Sequence, residues 1–83
     1  MSNNKNDSDS IPSPRLLLAL QGLNRILGPS MVDMLIVDLD RQGITLHGDE
    51  KYPMKQIERA LAATFGPEGG MLLAERLRRA LDL

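Results

Sequence analysis

Leu23-Asn24-Arg25-Ile26-Leu27-Gly28-Pro29 and, 38 residues on, Leu61-Ala62-Ala63-Thr64-Phe65-Gly66-Pro67 decide the fold of this chain. In each, an apolar helical stripe runs into a glycine, which ends a helix by taking backbone angles closed to other residues. The proline that follows suits the first turn of a new helix, where its missing N–H costs nothing. The match continues beyond the corner, because Leu35, Leu39 and Arg41 recur as Leu73, Leu77 and Arg79. Both copies therefore predict a helix, a Gly-Pro corner and a second helix. Two such hairpins can bury their apolar faces on each other, which neither does alone.

Working outward, Ser13-Pro14 predicts the start of the first helix, with serine as N-cap. Leu16, Leu20, Leu23 and Leu27 fall on one stripe at about 100° per residue, and Gly28 ends the helix. Val32, Leu35, Ile36 and Leu39 form the stripe of the second helix, stopped by Gly43. A strand competes over 34–39, where the run is partly β-branched, but the helical spacing extends further and has signals at both ends. Residues 44–46 read as a short extended piece, with Ile44 and Leu46 pinning the connection to the core. Met54, Ile57, Leu61 and Phe65 line a third helix, and Leu73, Leu77, Ala80 and Leu81 a fourth. Gly70 and Ala74, four apart on an inward face, let a neighbouring helix come close. The expected fold is all-α: a four-helix bundle of two hairpins over 13–83, preceded by a disordered polar tail, 1–12.

Composition narrows the function. The net charge is −1, with no cysteine, one tyrosine, one phenylalanine and no tryptophan. No disulfide or thiolate metal site is available, and no general attraction to nucleic acid or anionic membrane follows. The halves differ, however: residues 1–50 carry four basic and seven acidic groups, residues 51–83 six and four. The polar opening has neither a signal nor a transit pattern, and no apolar run spans a membrane. The expectation is a cytoplasmic protein.

No constellation for catalysis stands out. His47 is the sole histidine, and Asp49 and Glu50 beside it on a loop do not make a convergent metal set. The serines lie in the tail or at expected helix starts, where capping accounts for Ser13 and Ser30. Asp33, Asp38 and Asp40 belong to the outward side of the second helix, as a solvated face. Gly66-Pro67-Glu68-Gly69-Gly70 lacks the Gly-Lys-Ser/Thr ending of a phosphate loop and carries a glutamate where an anion would sit. It also lacks the Gly-hydrophobic-Gly turn of a helix-hairpin-helix. The reading is of a non-enzyme with no cofactor, no metal and no small-molecule substrate.

The informative residues are the apolar ones off the stripes: Leu17 and Leu18, Met34 and Val37, Met71 and Leu72. One small core does not easily bury all six, and a contiguous exposed apolar patch marks an interface. They are the expected surface for a protein partner or a homodimer, with Leu17, Leu18, Met34 and Val37 foremost. The alternative is nucleic-acid binding through Lys55, Arg59, Arg76, Arg78 and Arg79, whose phosphate contacts would make it salt-dependent.

Leu27-Gly28-Pro29-Ser30, Leu39 with Gly43-Ile44, and Phe65-Gly66 before a leucine-rich last helix resemble the Nitrosopumilus output domain type family, over about residues 20–82. That family consists of small archaeal helical domains, found in signal-transduction chains and as short stand-alone proteins. The resemblance implies a helical fold, a regulatory or output role and an archaeal source, and it carries over no catalytic residue.

Overall fold

The computed structural model describes residues 10–83. The chain is mostly helical, with one small antiparallel sheet, in the order β1 (Ser10–Pro12), α1 (Ser13–Gln21), α2 (Asn24–Leu27), α3 (Pro29–Arg41), β2 (Lys51–Pro53) and α4 (Met54–Ala80). The sheet is the departure from the all-α expectation, and the architecture is not a plain four-helix bundle. Of the expected tail, residues 10–12 belong to the fold, and the remainder lies outside the described residues.

β1 and β2 pair with Ser10 opposite Pro53, Ile11 opposite Tyr52 and Pro12 opposite Lys51. Ile11 and Tyr52 point together into the core. Each strand ends in a proline, tolerated because both strands are edges. Each proline is also the residue from which a helix starts, with nearly the same angles: φ −64, ψ 143 at Pro12 and φ −66, ψ 145 at Pro53. Pro12, not Ser13, is therefore the N-cap of α1.

Ser13 has a different task. It is fully buried, its N–H donates to the Glu50 carbonyl at 2.8 Å, and its Oγ lies 2.7 Å from the Thr45 carbonyl and 3.0 Å from that of Glu50. The Tyr52 hydroxyl accepts from the Thr45 N–H at 2.9 Å and donates to Glu50 Oε1 at 2.7 Å. These bonds hold residues 44–50 in an irregular loop and satisfy polar groups that burial would otherwise strand. Ile44 and Leu46 are buried there. The extended piece expected at 44–46 forms no strand, and the pairing falls on Lys51–Pro53 instead.

The Gly-Pro corners take one geometry twice. Gly28 sits at φ 89, ψ 152 and Gly66 at φ 84, ψ 167, a region open essentially to glycine alone. The long element α4 is thus two arms, 54–65 and 67–80, joined at Gly66. Capping at Ser30 is not seen either, since Gly28 holds that position for α3 and no side chain caps it.

The ends also correspond. Gly43 has φ 91, and the Gly43 and Ile44 N–H groups bond the carbonyls of Asp40 and Leu39 at 3.1 and 2.9 Å. Asp82 has φ 64, and the Asp82 and Leu83 N–H groups bond Arg79 and Arg78 at 3.0 and 2.9 Å. Both are Schellman closures, which satisfy the carbonyls left free at a helix end. The two halves therefore share a strand, Pro start, helix, Gly-Pro corner, helix and left-handed close. They differ in that residues 13–27 run three longer than 54–65, and in that the left-handed close falls one residue later after the second corner, at Asp82 against Gly43. The first helix, expected to continue to Gly28, is interrupted at Gly22-Leu23 between α1 and α2.

The core joins the halves through Leu16, Leu20, Leu35, Leu39, Ile57, Leu61, Leu77 and Leu81. The arms of α4 pack tightly at Gly70, where an added Cβ would stand 2.5 Å from the Ala62 Cα. That contact turns the second arm so that Gly70, Ala74, Leu77 and Leu81 face inward. Leu73 is only half-buried and Ala80 is exposed, contrary to the stripe expected from leucine spacing. The Arg15 guanidinium closes the circuit by donating to the Leu81 carbonyl, where the helix dipole favours a cation.

Three alanine substitutions test this account by urea unfolding. Gly66→Ala forces a side chain into a glycine-only conformation and is expected to cost about 1–3 kcal/mol. Gly70→Ala must push the arms apart and is expected to cost a similar amount, about 1–3 kcal/mol, by overpacking. At Gly48, an added Cβ meets nothing closer than Glu50 Oε1 at 3.9 Å, so Gly48→Ala is expected to be neutral or to stabilise by up to about 1 kcal/mol.

Candidate partner interface

The outer face of α3 is built by its own periodicity. Val32, Leu35 and Leu39 are buried, which turns Asp33, Met34, Val37 and Arg41 outward. Met34 is 63% and Val37 53% exposed, high values for large apolar side chains. Beside them runs an open groove of about 350 Å³, closed on its far side by Thr64 and the half-buried Phe65 from the first arm of α4. Its lining is mostly apolar, from Met34, Val37 and Phe65, and also includes the charged Asp33, Asp38 and Arg41.

A polar cluster at one end fixes α3 against α4. The Gln42 Nε2 group donates to Asp38 Oδ2 at 2.9 Å, the Ala60 carbonyl at 3.0 Å and Thr64 Oγ1 at 3.2 Å. The Thr64 hydroxyl donates to the same Asp38 oxygen. Asp38 is therefore half-buried and engaged, not part of a freely solvated acidic face. Gln42 and Thr64 have no signature in the sequence, since a lone amide or hydroxyl carries no spacing signal.

A second groove, about 510 Å³, lies on one side of the α4 arms. Met71, Glu75 and Arg78, spaced to share a helix face, line it from the second arm, with Glu58 and Ala62 opposite. Arg78 bonds Glu58 across the gap, with Nε to Oε2 at 2.9 Å.

The six expected interface residues consequently separate. Met34 and Val37 share the α3 groove, and Met71 lines the other. Leu18 and Leu72 are 69% and 64% exposed but border neither groove. Leu17 is half-buried and packs on the core. It is one residue from buried Leu16 and lies on the flank of the stripe. Leu17 and Leu18 are therefore not part of the groove that Met34 and Val37 line.

Of these basic residues, Lys55, Arg59, Arg76 and Arg79 are exposed, and among the described residues Arg78 is held by the Glu58 carboxylate. His47 is exposed on the 44–50 loop. Among the described residues, no three histidine, cysteine, aspartate or glutamate side chains are placed to hold a metal ion, and no helix is long and apolar enough to cross a membrane. Compared with family models, curated proteins and solved structures, the chain matches none.

The Glu58–Arg78 pair is partly solvent-exposed, with 32% and 47% of the two side chains accessible, so its attraction is screened. A double-mutant cycle with Glu58→Ala and Arg78→Ala is expected to give a coupling below about 1 kcal/mol, read from urea midpoints. A larger coupling would make the pair, and not the Gly70 contact, the main tie between the arms.

Proposed function

We propose that this chain is a non-enzymatic protein–protein interaction module that self-associates and serves a regulatory or output role, in keeping with its resemblance to the archaeal output domain family. The observation that carries the reading is the face of α3, where Met34 and Val37 stand exposed and, with Phe65, give a groove its mostly apolar lining. Apolar surface gathered at one place is the usual mark of an interface, whereas single exposed leucines need no explanation. Methionine adds adaptability, because its unbranched thioether fills irregular gaps. In this reading the four helical limbs, two at each Gly-Pro corner, are a scaffold that presents α3. The size of the chain argues the same way: a domain this small buries a modest share of its surface, and association adds to it.

The alternative is a nucleic-acid-binding accessory domain using the basic residues of the last two limbs. Lys55, Arg59, Arg76 and Arg79 are exposed for it, but Glu58 occupies Arg78. The scarcity of aromatic residues leaves little to stack on bases.

Sedimentation equilibrium across micromolar to millimolar concentrations separates these readings. The average mass is expected to rise from that of one chain towards that of two, and Met34→Glu is expected to hold the protein as a monomer with unchanged circular dichroism. A monomer at every concentration would contradict self-association. Salt-dependent binding to mixed-sequence DNA or RNA would favour the alternative.

A further inference from the structure

We propose that the occupant of the α3 face is the same face of a second copy, the two α3 helices crossing antiparallel about a twofold axis at Val37. This rests on the self-association proposed above and gives it a surface and a register. Asp33, Val37 and Arg41 are successive four-residue steps along the exposed side of α3. The acid and the base lie equally far before and after the valine, about 12 Å apart along the helix. Turning a second α3 end for end about Val37 sets Asp33 against Arg41 of the second copy, and Arg41 against that copy's Asp33. At these two positions the face is its own electrostatic complement, and the other carboxylate of the groove, Asp38, is held by Gln42 and Thr64 of its own chain. A twofold, isologous interface requires this of a single surface patch, and it is the commonest form of association.

Both charged groups are available for it. Asp33 and Arg41 are exposed, and among the described residues the ion pair formed is that of Glu58 with Arg78. The apolar part is present in the same place, since Asp33, Met34, Val37 and Arg41 all line the one groove. Its roughly 350 Å³ and mostly apolar lining suit a flexible side chain such as the Met34 of the second copy. The outer side of the second α4 arm carries a similar acid–aliphatic–base series in Glu68, Leu72 and Arg76. It borders neither groove, and the exposed Met71 beside Leu72 lines the groove between the α4 arms, whereas Met34 and Val37 line one groove together with the acid and the base.

Charge reversal tests the register with the full chain. Asp33→Arg alone sets arginine against arginine at both ends of the interface, and Arg41→Asp alone sets aspartate against aspartate. Each is expected to weaken dimerisation at least about tenfold in sedimentation equilibrium, because like charges meeting at an interface are costly. Mixing the two variants restores both pairs, so a heterodimer is expected where neither variant dimerises alone. The double variant Asp33→Arg/Arg41→Asp exchanges the partners within one chain and is expected to dimerise again. Circular dichroism of each variant verifies that the helices persist. A wild-type dimer unaffected by either single reversal overturns the α3 register while leaving self-association standing, as does failure of both the mixture and the double variant to recover. A wild-type monomer overturns the underlying reading as well.

Discussion

The fold depends on two glycines held at φ 89 and 84, angles that side-chain-bearing residues do not comfortably adopt. Each ends one helix and aims the next, and the proline that follows fixes where the next helix begins. At Gly66 the consequence is a tight return, because the arms of α4 then meet through Gly70 and Ala62 with no space for another methyl group. That close approach decides which face of the second arm turns inward, and so which residues are left outside. Gly28 has the corresponding effect on α3. Its corner presents Val32, Leu35 and Leu39 to the core, and the same rotation exposes Met34 and Val37.

The remaining interactions tie one half to the other. The first helix begins beside the C-terminal end of the last, where Arg15 meets the Leu81 carbonyl. The end of α3 reaches the first arm of α4 through Gln42. The antiparallel pairing of β1 with β2 is the relation that a twofold between the halves would impose. The chain thus has the organisation of one unit written twice, with three additional residues in the first copy before its corner, where the break at Gly22-Leu23 falls, and one in the second copy after its corner.

The corners were legible in the sequence because Gly-Pro carries a steric meaning that tertiary context seldom overrides, and the leucine stripes located most of the core. The strands were not legible. Each is three residues long, contains a proline and has one inward apolar residue, so no alternation exists to detect. The break at Gly22 was hidden because Leu23 stays buried on the first-helix stripe, and periodicity read straight through it. Ser13 looks like a cap by type and position, yet its hydroxyl serves carbonyls 32 and 37 residues away. For the candidate interface, Met34 and Val37 declared themselves by missing the stripe. Phe65 and Thr64, which complete their groove, come from another element and have no local signature. Leu17 misled because the flank of a short helix can still touch the core.

These constraints meet at the outer face of α3, and the central claim is that this face pairs with itself at Val37. The chain has no cysteine, so a single introduced thiol reports on that point without background. A residue on a twofold axis meets its own copy, whereas one two turns away lies about 20 Å from its counterpart. Under mild oxidation Val37→Cys is therefore expected to give a disulfide-linked dimer rapidly and nearly completely, while Ser30→Cys on the same face remains largely monomeric. Equal cross-linking at the two positions, or none at Val37→Cys, would contradict the account.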